Sequence, residues 1–367
     1  MLKFVVTLCL AAAISICTVD CASAVTIQLD YSYDTNNFFN TQLKRDLMQA
    51  AADTIASRLT DQLTAIVPGG ANTWNEKFFS PATGGVVTIP NASIAANTML
   101  VYVGGRDLGG GGTLGQGGNG YYSDAFGDAA FISSLSRGQG NVSGGSATDY
   151  GVWGGSVTFN TNPATLFSFS NQTPTNATYD FFSVAIHELG HVLGIGTADS
   201  WSKQVGGGAF SGPHAKAANG GVNVPLTPDK GHWLAGTLSD GRFAAMGSAL
   251  YYNTRTGFTS LDFAGLADIG WSVAPLGIPG DVNHDGIVDI QDITSVANHW
   301  LTPSPYGDAN RDYTADIQDL TVVANHWLQT SGGGGSLAIV PEPATVVSLM
   351  TSAAMAAVVL RKGRRRG

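Results

Sequence analysis

Two histidines that stand four residues apart, His187 and His191, constrain the fold of this chain more than any other feature. Mostly apolar residues precede them and Gly194 follows, so the pattern predicts a helix over residues 179–193. Positions i and i+4 share one face of a helix, which brings the two imidazoles together as ligands for Zn²⁺. Glu188 stands beside the first histidine, where its carboxylate can accept a proton from a metal-activated water. The motif therefore predicts metal-assisted peptide hydrolysis with Glu188 as the catalytic base.

The segment His187–Gly194 resembles the zinc-binding motif of metzincin proteases, H-E-x-x-H-x-x-G-x-x-H. The resemblance implies a zinc peptidase in which one active-site helix carries two of three histidine ligands. The chain departs from the pattern at the place of the third histidine, where Thr197 stands. Leishmanolysin-like metzincins place that ligand after an insertion, and this chain is similar to them. Segment 261–271 is also similar to the helix that closes the domain in this group.

The third zinc ligand must come from elsewhere in the chain, because threonine is a poor ligand for zinc. Outside the C-terminal repeats and the motif, the remaining histidines are His214 and His232. We favour His232, because Met246 follows it 14 residues later and metzincins place a methionine turn below the zinc after the third histidine. His214 and Asp199 stay open as alternative ligands, and core packing is the alternative for Met246.

Two segments near the C-terminus repeat each other at a constant offset of 27 residues. Each contains a twelve-residue loop with Asp or Asn at positions 1, 3, 5, 9 and 12, which is the spacing of EF-hand-type calcium ligands, and position 7 contributes a backbone carbonyl. The predicted Ca²⁺ ligands are Asp281, Asn283, Asp285, Ile287, Asp289 and Asp292 in the first loop and Asp308, Asn310, Asp312, Thr314, Asp316 and Asp319 in the second.

The paired loops, each followed by one helix and each with Asp at position 12, resemble a type I dockerin. The resemblance implies a small all-α calcium-loop domain over residues 276–330 and a cohesin-like partner. A calcium-stabilised spacer is the alternative. In the second loop Tyr313 stands where Gly286 provides the turn in the first, which is a departure from the pattern.

The segment before the repeats, residues 25–275, predicts one α+β domain. Alternating or compact apolar runs predict strands, and apolar residues at helical spacing predict helices. We predict strands at 25–33, 98–103 and 156–160 and helices at 40–66, 179–193 and 261–271. The glycine-rich segment 104–120 is predicted to be a mobile loop.

The N-terminal residues 1–24 are typical of a signal peptide, with Lys3, an apolar run and a cleavage site at 22–24. All three cysteines lie in this segment, so the exported chain would have no disulfide and would depend on packing and bound metals for stability. A retained N-terminal membrane helix is the alternative. The net charge of −9, despite five positive charges in the last seven residues, argues against nucleic acid as a partner.

The C-terminal residues predict a Gly/Ser linker at 331–340 and a membrane-directed tail at 341–367. The tail begins Pro-Glu-Pro, continues as an apolar run at 344–360 long enough for a transmembrane helix, and ends in a basic cluster. This arrangement resembles a PEP-CTERM sorting signal. The resemblance implies recognition by an exosortase-type enzyme and a location at the bacterial cell envelope, at the cell surface or outside the cell, with transient or stable anchoring by the tail.

These features predict a secreted or cell-surface zinc metalloendopeptidase that acts on a protein or peptide substrate. The alternative is a non-catalytic surface protein with a structural metal site, in which the dockerin-like module mediates calcium-dependent docking. Geometry separates the two hypotheses, because the zinc peptidase requires the ring nitrogens of His187, His191 and His232 to converge.

Overall fold

The computed structural model describes residues 25–330, so the predicted signal peptide, linker and sorting signal lie outside the described residues. Eight helices lie in this part of the chain: α1 (Gln42–Ala56), α2 (Ala129–Ser134), α3 (Phe181–Val192), α4 (Asp199–Ser202), α5 (Pro213–Ala218), α6 (Ser260–Asp268), α7 (Ile290–Asn298) and α8 (Ile317–Asn325). Its strands are β1 (Thr26–Asp30), β2 (Thr73–Phe79), β3 (Val86–Pro90), β4 (Thr98–Arg106), β5 (Gly115–Asn119), β6 (Tyr121–Phe126), β7 (Gly154–Asn160), β8 (Phe167–Ser168), β9 (Tyr179–Asp180), β10 (Val205–Gly206), β11 (Ala209–Phe210), β12 (Val224–Pro225), β13 (Leu238–Ser239) and β14 (Arg242–Phe243).

The main sheet has the strand order β1-β4-β7-β5, in which β1, β4 and β7 run parallel and β5 runs antiparallel to β7. Successive residues of a strand face opposite sides. In β4, Val101 and Val103 therefore pack into the core with α1 and α3, whereas Tyr102 packs into a second core with β2. The sheet is the middle of three layers, with helices on one face and the antiparallel sheet β3-β2-β6 on the other.

The predicted strands at 25–33, 98–103 and 156–160 correspond to β1, β4 and β7. The predicted helix at 40–66 was too long, because α1 ends at Ala56. Beyond that point Leu59 and Ile66 form isolated bridges to distant residues, so tertiary pairing overrides the local helical spacing.

The predicted fold class was wrong. We expected an α+β domain followed by an all-α calcium-loop domain and a C-terminal transmembrane helix, but the described chain is mixed α/β, with parallel strands in its main sheet and several small sheets. A membrane-spanning helix needs about 20 apolar residues, and α1, the longest helix of residues 25–330, has 15. Within those residues no helix is long and apolar enough to cross a membrane. The transmembrane helix is therefore not supported, and its segment, 341–367, lies outside the described residues.

The repeats build a small core of their own between α7 and α8, to which both contribute at equivalent positions, such as Val296 and Val323. Each helix begins with a capping box formed by its loop: Asp289 with Asp292 at α7, and Asp316 with Asp319 at α8. Because these aspartates are also predicted calcium ligands, each loop and its helix form one structural unit.

Candidate metal centre

Helix α3, which carries the His-Glu-x-x-His motif, is buried along its whole length. Its N-terminus is fixed by Asp180, which accepts hydrogen bonds from the backbone N–H of Ser183 (3.1 Å) and from its hydroxyl (2.7 Å). Arg255 forms a buried ion pair with the same carboxylate at 2.8 Å. The carboxylate thus satisfies a free N–H of the first turn and is itself neutralised, so the beginning of the helix is held rigidly.

Side chains from outside the helix satisfy the carbonyls at its C-terminus. The Thr197 hydroxyl donates to the carbonyl of His191 at 2.7 Å, and Tyr150 and Trp271 donate to the next two carbonyls at 2.5 and 2.9 Å. These bonds replace the intrahelical partners that the last turn lacks. Thr197, at the position that the sequence motif reserves for a third histidine, therefore caps the helix.

Three histidines converge at one point above α3. The Nε2 atom of His191 lies 3.2 Å from Nε2 of His187 and 3.1 Å from Nε2 of His232. One ligand atom from each residue lies within 4.8 Å of the others, and no second group of three His, Cys, Asp or Glu residues meets this criterion within residues 25–330. Tetrahedral zinc with Zn–N bonds of about 2.0–2.1 Å places its ligands about 3.3 Å apart. The spacing therefore fits a metal ion of this size.

The hydrogen bonds of His187 and His191 determine which ring nitrogen is free. Nδ1 of His187 lies 2.7 Å from the carbonyl of Ala245, and Nδ1 of His191 lies 2.8 Å from that of Ile195. Because a carbonyl can only accept, each Nδ1 carries the proton and each neutral ring turns an Nε2 lone pair inward. Two facing lone pairs cannot bond each other, but both can bind a shared cation.

The charge state of these two histidines also suits metal binding. Burial, with the neighbouring imidazoles His191 and His232 adding to it, holds the pKa of His187 well below its ordinary value. Burial and His232 lower the pKa of His191 to about 4. Both rings are therefore neutral at pH 7, and a neutral imidazole is the form that binds a metal.

Glu188 lies beside this point with one carboxylate oxygen fixed. Its Oε2 accepts a hydrogen bond from the backbone N–H of Gly117 at 2.6 Å. Burial raises the pKa of Glu188 to about 8, and the Gly117 hydrogen bond opposes that rise. A dication at the histidines would favour the ionised carboxylate, which is the form that a general base requires.

Part of the segment 104–120, which was predicted to be a mobile loop, is instead a strand that lies against α3. Its residues Gly115–Asn119 form β5, and a Cβ atom on Gly117 would lie only 2.0 Å from the backbone oxygen of Glu188. Glycine is thus required for the strand to approach α3 this closely. Together with the histidines, Glu188 and 247–250, this strand lines an open cleft of about 830 Å³.

Met246 lies directly against another side of α3. It is fully buried, and a Cβ atom on Gly190 of α3 would lie 2.3 Å from its sulfur. The preceding residue, Ala245, provides the carbonyl that binds Nδ1 of His187. The turn at 245–246 thus supports the helix and one of the converging histidines together.

Asp262, which no sequence motif marks as a site residue, connects the segments that support His187 and His232. Its buried carboxylate accepts hydrogen bonds from the backbone N–H groups of Ala245 (2.9 Å) and Met246 (3.1 Å) and from the indole of Trp233 (2.9 Å). Trp233 is the neighbour of His232 in sequence. Burial raises the pKa of Asp262, while the donors around it oppose that rise. In the sequence, Asp262 is recognisable only as part of a Thr-x-x-Asp capping box at 259–262. That pattern predicts the start of a helix but no role at the site.

The two alternative third ligands lie away from the converging group. His214 is in α5, where its backbone N–H donates to Asp268 at 2.9 Å. The carboxylate of Asp199 accepts from the backbone N–H of Gly144 at 2.7 Å. Neither residue shares the group formed by His187, His191 and His232.

The predicted calcium ligands lie in two loops whose carboxylates bind mainly backbone N–H groups. At position 12, Asp292 accepts from three N–H groups of the first loop, and Asp319 accepts from Asn310 and Asp316 in the second. Asp281 leaves one buried oxygen, Oδ1, without a hydrogen-bond partner in the described structure. In the first loop, this unsatisfied buried oxygen is one that a hard cation would stabilise, but no three carboxylates of either loop converge as the histidines do.

The second loop concentrates buried negative charge. Burial and the nearby carboxylate of Asp319 raise the pKa of Asp308 to about 7. Burial raises the pKa of Asp319 to about 6. A cation bound in this loop would stabilise both carboxylates in their ionised form.

Comparison with known proteins does not assign a function to this site. The function must therefore be inferred from the side chains of the site and from the repeated loops. No family model, no curated protein and no solved structure matches the chain.

Proposed function

We propose that this chain is an exported zinc-dependent metalloendopeptidase. The observation that carries the proposal is the convergence of the Nε2 atoms of His187, His191 and His232, with Nδ1 of each turned to an acceptor on the outside of the group. His187, His191 and His232 would hold the zinc, and Glu188 would act as the general base. We call residues 25–275, which contain this site, the catalytic domain.

Zinc, when bound, supplies a Lewis acid that polarises a peptide carbonyl and acidifies water. Glu188 takes a proton from the attacking water and returns it to the leaving amine. The N–H of Gly117 holds the carboxylate in place for both transfers. His187 and His191, which would hold the zinc, are themselves buried.

The position of β5 supports a peptide as the substrate class. This strand is at the edge of the main sheet and lines the cleft beside Glu188. An edge strand presents unpaired backbone groups to which an extended peptide can add as a further strand. We therefore expect the substrate to bind in an extended conformation along residues 115–119, with its scissile bond near the three histidines.

The decisive experiment compares zinc content and peptidase activity in the purified protein and in Glu188→Gln. The substitution keeps the shape of the side chain but removes the base, so we expect zinc to be retained and kcat to fall by about 10²–10⁴-fold. His214→Ala is the matched control and should keep both zinc and activity. Unchanged activity in Glu188→Gln would contradict the mechanism.

Zinc binding without peptidase activity in the unmodified protein would favour the alternative, a non-catalytic surface protein. Calcium binding by the two loops, docking to a cohesin-like partner and processing by an exosortase-type enzyme stay predictions. Calcium is supported by the unpartnered oxygen of Asp281 and by the buried pair Asp308 and Asp319.

A further inference from the structure

Tyr313 departs from the calcium-loop pattern in a way that the loop alone does not explain. It occupies the position of Gly286 in the first loop, and both residues have a left-handed backbone, with φ of 66° and 88°. That conformation is unfavourable for a residue with a Cβ atom and is therefore usually occupied by glycine. A bulky side chain at this position indicates that contacts elsewhere offset the unfavourable backbone.

Those contacts lie in the catalytic domain. The Tyr313 hydroxyl donates to the carbonyl of Phe258 at 2.7 Å, and its ring centre lies 5.7 Å from that of Phe182. Gly257 provides the space, since a Cβ atom there would lie 2.3 Å from the Tyr313 ring. Among the described residues beyond 275, only Tyr313 belongs to the main hydrophobic core.

The same contacts reach the beginning of the active-site helix. Phe182 is in the first turn of α3, five residues before His187. Arg255, whose buried ion pair with Asp180 fixes the N-terminus of this helix, also donates to the backbone carbonyl of Tyr313 at 3.5 Å. Tyr313 therefore contacts both the first turn of α3 and the arginine that holds it.

On its other side Tyr313 is bound to the predicted cation site. Its backbone N–H donates to Oδ2 of Asp308 at 2.9 Å, and Asp312 N–H donates to Oδ1 of the same carboxylate at 2.9 Å. Asp308 is position 1 of the second loop and is buried, as is Asp319 at position 12. The backbone of Tyr313 is thus positioned by a predicted calcium ligand, while its side chain is positioned by the catalytic domain.

We propose that calcium bound by the second loop stabilises the N-terminal part of the active-site helix, with Tyr313 as the connection. Binding orders Asp308, Asp308 fixes the left-handed backbone of Tyr313, and the ring then holds Phe182 and Phe258 in place. The first loop has glycine at this position and makes no such connection. The second repeat therefore serves as an internal clamp on the catalytic domain. The proposal depends on calcium binding by the second loop, but not on peptidase activity.

The test is hydrogen–deuterium exchange of the purified, zinc-loaded protein in calcium-free buffer and with added CaCl₂. Saturating calcium should slow exchange in peptides covering residues 179–192 and 252–260 by roughly tenfold or more. Calcium binding to each loop is measured in parallel by isothermal titration calorimetry. These readouts stay informative even if the protein hydrolyses no peptide.

Three variants distinguish calcium-dependent protection through Tyr313 from a general effect of calcium on folding. Asp308→Asn should weaken calcium binding and abolish the calcium-dependent protection, whereas the equivalent Asp281→Asn in the first loop should keep that protection. Tyr313→Gly restores the loop glycine, so it should bind calcium at least as tightly and yet lose the protection. The proposal is overturned if calcium does not protect these peptides in the unmodified protein, if Asp281→Asn abolishes protection equally, or if Tyr313→Gly retains it.

Discussion

His232 is the least buried of the three converging histidines, with 24% of its side chain exposed. It also comes from an irregular segment, whereas His187 and His191 are fixed on α3. Its orientation depends on Asp229, whose Oδ2 lies 3.3 Å from Nδ1 of the ring. The same carboxylate accepts from the N–H of Gly231 at 2.9 Å, so Asp229 holds both the ring and the backbone beside it.

Asp229→Asn tests this orientation. The asparagine amide cannot both accept from Nδ1 and preserve the charge that polarises the imidazole, so we expect zinc affinity to fall about 10–100-fold. The measurement is competition with a chromogenic zinc chelator. Asp199→Asn is the control and should leave the affinity unchanged, because Asp199 lies outside the converging group. Equal affinities for Asp229→Asn and the unmodified protein would show that the hydrogen bond does not position His232.

The sequence predicted the residues of the site that are close together along the chain. His187, Glu188 and His191 occupy one helix, and helical periodicity alone places them together. His232 was selected by elimination and by its distance from Met246. Asp262 could not be found in this way, because its role depends on contacts with Ala245 and Trp233 that only the fold creates.

At the scale of elements, β5 shows why glycine-rich sequence is ambiguous. Glycine favours flexible loops, but it also permits an unusually close approach of one backbone to another. In β5 the second property decides the structure, since Gly115 and Gly117 both face α3 at distances that exclude a side chain. The alternation of these two glycines with Gln116 is consistent with a strand, but the proximity of α3 was not visible in the sequence.

Gly117→Ala is the prediction for this element. Its methyl group would lie only 2.0 Å from the Glu188 carbonyl oxygen, so β5 must shift and its hydrogen bond to Oε2 would be disturbed. We expect the free energy of unfolding to fall by about 1–3 kcal/mol, measured by urea denaturation, together with a loss of peptidase activity. Gly118→Ala is the matched control, because nothing lies within 4 Å of its Cβ position. Similar stability losses in both variants would attribute the effect to strand propensity and not to the contact with α3.

At the scale of the whole molecule, the layered order of the sheets determines which charges are buried. Individual strands were predictable from their apolar runs, but the parallel order of β1, β4 and β7 was not, because it arises from connections of many residues. One consequence is the burial of Glu76. In β2 it lies between Trp74 and Phe78 on the face that packs into the second core, where its carboxylate is fully buried beside the Tyr102 hydroxyl.

Glu76 should therefore make the stability of the whole fold depend on pH. Burial raises its pKa from 4.5 to about 7, against a smaller opposing effect of the nearby Tyr102 hydroxyl. A raised pKa in the folded state means that the folded protein binds the proton more tightly than the unfolded chain. The loss of folding free energy caused by ionised, buried Glu76 is absent below pH 4.5. It grows as the pH rises to about 7 and is complete above that pH.

Glu76→Gln removes the ionisation and leaves the shape nearly unchanged. We expect it to raise the free energy of unfolding by about 2–3 kcal/mol at pH 8, and by far less at pH 5, relative to the unmodified protein at the same pH. Urea denaturation at both values measures the difference. Asp46→Asn, which removes an exposed carboxylate on α1, is the control and should change stability little at either pH. If Glu76→Gln gave the same stability change at pH 5 and pH 8, the buried carboxylate would not be the source of the pH dependence, and the second core would have to accommodate the charge by opening to water.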